Sequence, residues 1–170
     1  KDGDGMKEIS VLPADIFVVV NRTIMNDKDR KIINMLYQPI LGVVATGLYY
    51  TLWSDLDKTE LMSMEYNHHH LMMAMRMKLD AIMIARKKLE AAGLLKTYVK
   101  QNDNVNSYIY ELFAPISASE FFNHPVLNVV LYNNLGKQEY EKTLGYFKVP
   151  HLNLNNYEDI TSSFDEVFES

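Results

Sequence analysis

The chain has no cysteine. That excludes a disulfide-stapled scaffold and any zinc site built on thiolates. No apolar run approaches the ~18 residues that a membrane-spanning helix needs. The most apolar stretch, Ile16 to Val20, is only strand length. No basic start leads into a long apolar core, so no secretory signal is legible and a cytoplasmic protein is expected. A Gly-rich phosphate loop, G-x-S-x-G and H-E-x-x-H are all missing. No spacing gathers carboxylates or a histidine for acid–base work. The expectation is no catalytic residue, no cofactor site and no metal site, hence not an enzyme. His68-His69-His70 does not alter this, because adjacent helical residues point about 100° apart and cannot converge on one ion. They read as exposed imidazoles in a first helical turn.

What is present is an ordinary globular composition, 48% hydrophobic and 23% charged, so the 170 residues suit one domain with a helical extension. The net charge is -5 with a pI near 5.5. Acid and base are unevenly spread. Between Asn67 and Lys100 there are seven Lys or Arg against Asp80 and Glu90, which is +5 locally and leaves -10 for the remainder. A basic surface on an acidic body can meet phosphate or an acidic partner.

The organising stretch is Asn67 to Pro115. Asn67 caps a helix to about Met75 with Leu71, Met72 and Met75 inward, and Arg76 to Lys78 is a turn. A second helix, Leu79 to Ala92, carries apolar residues at Leu79, Ile82, Met83 and Leu89, the spacing of one buried stripe. Gly93 stops it. Leu94 to Lys100, the polar tip Gln101 to Asn106, and Ser107 to Phe113 form a hairpin. Its return strand puts Tyr108, Tyr110 and Leu112 on one face. Pro115 ends it. This is the layout of a winged helix-turn-helix. The fold class expected is mainly α with a small β-hairpin: a winged helix-turn-helix core, an extra N-terminal strand and helix, and C-terminal helices.

Around that core, residues 1–5 (KDGDG) read as an added remnant before a native start at Met6. Residues 6–116 are the winged-helix domain with its N-terminal extension, 117–150 a helical extension packed on it, and 151–170 an acidic tail. Ile16 to Arg22 is a strand apolar on both faces, which wants cover on both. Asp27 caps a helix through Ile32, Ile33, Leu36 and Tyr37, which Pro39 ends near Gln38. After Gly42, Val43 to Leu56 is the most apolar helix. Asp57 to Tyr66 links onward without a defined structure. Ser117 or Ser119 opens a turn holding Glu120, Phe121 and Phe122. Pro125 starts a helix with Val126, Leu127, Val129, Val130 and Leu131 mostly buried, ended by Asn134 and Gly136. Gln138 to Phe147 is the last helix.

Three groups of residues are candidates for contact. Ile16, Phe17, Val18, Val19, Val20, Leu36 and Tyr37 are read as a self-association surface. Arg76, Lys78, Arg86, Lys87, Lys88 and Lys96 are read as a contact for nucleic acid or an acidic partner. Phosphate is favoured over base readout, because the cations lie late in the helix and the wing tip has no Lys or Arg. Phe164 and Phe168, four residues apart, are a partner-docking stripe or one that folds back. The methionines from Met62 to Met83 read as core filler, with an adaptable contact surface as the minority use.

Several segments carry a family resemblance. Val11-Leu12-Pro13 ahead of the apolar strand, Leu36 to Gly42 (LYQPILG), Leu48-Tyr49, Lys88 to Lys96 (KLEAAGLLK), Tyr110-Glu111-Leu112, Glu120-Phe121-Phe122 and Leu127-Asn128 occur in order. Asp159-Ile160-Thr161 and Phe164 to Ser170 continue the likeness. Together they resemble the N-terminal domain of the DnaB/DnaD-type replication initiation proteins of low-GC Gram-positive bacteria. The nearer branch is the replication initiation and membrane attachment one, not the replicative helicase. The resemblance implies a non-enzymatic helicase-loading role in replication initiation and restart, with the winged helix serving self-association. The implied partners are other copies of the chain, DnaD-like proteins and helicase loaders. Single-stranded DNA binding is implied mostly for C-terminal repeats that this chain does not contain, and membrane attachment is implied as indirect and peripheral. The alternative reading is a winged-helix DNA-binding transcriptional regulator.

Overall fold

The computed structural model describes residues 9–21, 23–56, 61–150 and 152–168. The expected remnant, Met6, Arg22, residues 57–60 of the link, His151 and the last two residues lie outside the described residues. Strand β1 is Ile16–Asn21. Its β-branched side chains suit the pleat. Helix α1 is Asp27–Ile32, capped by Asn26 rather than Asp27. Asn26 accepts from the Asp29 amide while Asp29 accepts from the Asn26 amide, a reciprocal capping box.

The chain does not stop at Gln38. It passes through a π-helical turn, Ile33–Tyr37, into α2, Gln38–Leu41. Pro39 falls in the first turn of α2, where no N–H is required. Gly42 ends the run at φ 87°, and α3, Val43–Ser54, follows. Strand β2 is only Tyr66–Asn67, within and just beyond the expected link. Helix α4 is His68–Met75, α5 is Leu79–Ala91, and the wing is β3, Leu95–Lys100, with β4, Ser107–Leu112.

The sheet runs β2-β1-β4-β3. β1 lies parallel to β4, from Ile16 opposite Ser107 to Asn21 opposite Leu112. β3 and β4 are the antiparallel wing. The N-terminal strand is therefore central. A turn anchors it: Leu12 donates to the Asp15 carboxylate, and Asn106 donates to the same side chain's other oxygen at 2.9 Å.

Phe17, Val19, Tyr108, Tyr110 and Leu112 form the inner sheet face and join one core with Leu36, Leu48, Tyr49, Leu52, Leu71, Ile82 and Leu89. Helix α3 lies against α5 at its centre. The buried Tyr49 hydroxyl donates to the Phe113 carbonyl at 2.6 Å, joining α3 to the end of the wing.

The C-terminal extension is α6, Ala118–Phe122, and α7, Leu127–Phe147. Ser117 and Glu120 form a second capping box. The long helix starts two residues after Pro125 and breaks at Gly136. Its first half is less buried than expected. Leu131 is enclosed, but Val126 and Val129 face solvent, since only one stripe meets α2 and the π turn. Phe121 stacks edge-on against Tyr37 at 5.0 Å, and the Asn134 amide donates to the Pro39 carbonyl. In the tail, α8 is Phe164–Val167, capped by Ser163 and Glu166.

Candidate interaction surfaces

The outer sheet face follows from strand alternation. Phe17 and Val19 point into the core, so Ile16, Val18 and Val20 point out and stay only partly buried. Val18 sits beside Ile109, and Ile109 beside Tyr98, which makes an apolar row across three strands. Ile109 and Tyr98 are 41% and 49% exposed. Met62, bridged to Val20, extends the patch toward β2. Lys96, paired with Glu111, and Lys100 sit on the β3 edge, where charge discourages indiscriminate strand addition.

The expected self-association set therefore divides. Phe17, Val19, Leu36 and Tyr37 are enclosed in the chain's own core. Tyr37 is covered by Phe121, a contact that helix periodicity within residues 27–38 cannot reveal. Ile16, Val18 and Val20 remain as the outward members. Ile109, Tyr98 and Met62 are the additions, and the alternation of β4 already placed Ile109 opposite the buried tyrosines.

The basic set also divides. Arg86 is partly buried, its Nε 3.0 Å from Glu90, so it serves the fold. Lys96 lies over the Phe113 ring at 5.4 Å. Arg76, Lys78, Lys87 and Lys88 are exposed around α5, and Arg76 adopts the left-handed conformation that closes α4. Among them stands Ile84, 60% exposed. Phe164 and Phe168 hold their rings 4.8 Å apart, and both are exposed. Met72, Met75, Met77 and Met83 pack on the core, whereas Met62, Met64 and Met73 are exposed.

The three histidines are not a uniform exposed turn. His68 is fully buried, because β1's lead-in and β4 close over the start of α4. Its Nδ1 lies 2.6 Å from the Asp15 carbonyl and its Nε2 2.7 Å from the Tyr110 hydroxyl. A carbonyl only accepts, so Nδ1 carries the proton and Nε2 accepts from Tyr110. Burial pushes the His68 pKa down, against the opposing pull of Asp15. His70 lies 2.7 Å from Asp55, under a stacked Tyr66 ring; burial raises the Asp55 pKa and the His70 contact lowers it. His69 alone faces solvent. Among the described residues no cluster of three metal-ligating side chains occurs, and no helix is long and apolar enough to cross a membrane.

A helix-turn-helix with a β-wing, extended by a strand laid parallel to the wing, defines a winged-helix protein. The model for the DnaB N-terminal winged helix domain matches residues 11–170, and the chain belongs to that family. It is 28% identical over 162 residues to the replicative helicase loading/DNA remodeling protein DnaB of Staphylococcus aureus (strain NCTC 8325 / PS 47). That match covers 95% of this chain and 35% of the relative. The crystal structure of primosome protein DnaB (residues 1–300) from Geobacillus stearothermophilus superposes with a TM-score of 0.78 at 34% identity. It covers 92% of this chain and 59% of that one.

Proposed function

We propose that this chain is a non-enzymatic module of a replication-initiation assembly, the winged-helix part of a helicase-loading protein. It associates with itself and presents surfaces to other primosome proteins. The observation that carries this reading is the apolar row Val18–Ile109–Tyr98 on a sheet whose opposite face is already the core. A central strand apolar on both sides, covered on one, has surface to bury against a second copy. Two such sheets meeting about a two-fold axis would make an isologous dimer. The likeness to a helicase loading protein and a primosome protein supports the assembly in which that contact would operate.

The purified chain should bind a DnaD-like protein or a helicase loader from the same organism, immobilised and titrated at low micromolar concentration. Binding to neither, by a chain that is itself folded and dimeric, would remove the primosome part of the proposal and leave self-association standing.

A further inference from the structure

Two grooves flank Ile84 on the outward side of α5. One, of about 330 Å³, lies between α5 and the N-terminal segment and is lined by Ile9, Val11, Leu79, Met83 and Arg86. The other, of about 170 Å³, lies between α5 and the start of α3 and is lined by Val44, Met77, Ala81 and Lys88. Ile84 borders both. The surface is thus an apolar ridge between shallow apolar furrows, with Lys87 at the edge of one, Lys88 at the edge of the other, and Asp80 beside the first. The exposed charges from Arg76 to Lys88 are Arg76, Lys78, Lys87 and Lys88 against one acid, Asp80, with Arg86 paired to Glu90. A phosphate backbone can use the cations but not the ridge. An acidic amphipathic segment uses both.

The tail is such a segment. Residues 152–168 hold Glu158, Asp159, Asp165 and Glu166 and no Lys or Arg. Phe164 and Phe168 form one aromatic ridge, and the Ser163–Glu166 box sets the turn before any contact is made. Within the single chain this ridge stays exposed, at 73% and 59% for its two rings. The stretch from Val149 to Phe164 can extend to roughly 50 Å, enough to reach a neighbouring molecule.

We propose that the Phe164–Phe168 ridge of one copy docks along Ile84 on α5 of a second copy, with Asp165 and Glu166 toward Lys87 and Lys88. This goes beyond the sheet-face contact. It joins two different surfaces, so it is heterologous and can link sheet-face dimers into larger assemblies.

The absence of cysteine permits a direct test on the full chain. One variant carries D80C beside the groove, another V167C in the tail. Mixed under mild oxidation, they should form a disulfide-linked dimer. Its yield should fall at least tenfold when the receptor also carries I84E and K88E, or the tail F164S and F168S. All four altered side chains are exposed, so an unchanged circular dichroism melt shows that folding is not the cause. The cross-link should persist when both chains carry V18E. The proposal is overturned if the yield is no higher than with K142C on α7 in place of D80C. It is also overturned if the cross-link forms only within a chain carrying both cysteines, or vanishes with V18E. Absence of the cross-link together with duplex DNA binding that K87E and K88E abolish would assign this face to nucleic acid instead.

Discussion

The Tyr110 hydroxyl donates to His68 Nε2 at 2.7 Å, with both side chains in the core. This bond joins the first turn of α4 to the return strand of the wing. His68 Nδ1, held on the Asp15 carbonyl, brings the N-terminal strand's lead-in to the same point. Three segments distant in sequence meet at one imidazole. Replacing His68 by Ala removes the buried acceptor of the Tyr110 hydroxyl and one of the two donors to the Asp15 carbonyl, which keeps the backbone amide of residue 68, and opens a cavity. The expected loss is about 3 kcal/mol, or roughly 10 °C in Tm. Thermal denaturation followed by circular dichroism measures it. A loss below ~1 kcal/mol would mean the network contributes little.

The same residue gives the fold a pH dependence with a definite sign. Burial lowers the His68 pKa below its ordinary 6.5, so the folded chain holds the ring neutral while the unfolded chain takes up a proton. Stability from this source is complete above about pH 6.5 and falls as the pH drops below it, by up to ~1.4 kcal/mol per pH unit. Asp55 acts in the opposite sense and from the carboxylate end of the range, since burial raises its pKa from 3.8. Melts from pH 7.5 down to 5.5 should show Tm falling, with a shallower fall in His68→Gln. An equal slope in the variant would exclude His68 as the cause.

Gly136 sits at φ 80°, ψ 165°, a region that only glycine enters without strain, and it breaks α7 there. A methyl at this position would meet no atom within 4 Å, so backbone strain is the whole cost of adding one. Gly136→Ala should destabilise by about 1–3 kcal/mol. Gly145, in the helical second half with the same open surroundings, should respond oppositely. Gly145→Ala should stabilise by about 0.5–1 kcal/mol. Urea denaturation of the pair checks both, and equal effects of the same sign would contradict the assignment.

Much of this architecture is legible in the residues themselves. The stripe of Leu79, Ile82 and Leu89, the Gly93 stop, the alternating Tyr108, Tyr110 and Leu112, and the Asn67 cap are local signals, and α5, the wing and α4 follow from them. Ser117 or Ser119 reads only as the opening of a turn, and the structure makes that segment the short helix α6, capped by Ser117 and Glu120. What was not legible depends on long-range contact. The parallel pairing of β1 with β4 joins segments some 90 residues apart, and β2 is two residues long, so neither leaves a periodic trace. The burial of His68 arises only when Asp15 and Tyr110 close over it. Leu36 and Tyr37 read as part of a self-association surface, whereas both are enclosed in the chain's own core and Tyr37 is covered by Phe121, which lies far along the chain. The continuation past Pro39 needed a π turn, which no short pattern marks.

The proposed self-association places the outer sheet face between two copies. Phe17 and Val19 are poor positions at which to test it, since a charge there would unfold the core. Val18 points outward and separates the two effects. The decisive measurement is sedimentation equilibrium of the chain and of Val18→Glu across the micromolar range, with melting curves alongside. The parent chain should sediment as a dimer or larger species, and the variant as a 19.7 kDa monomer that still melts cooperatively, at a temperature lower only by the lost association energy. A monomeric parent chain at tens of micromolar, or a variant that remains dimeric, would contradict it.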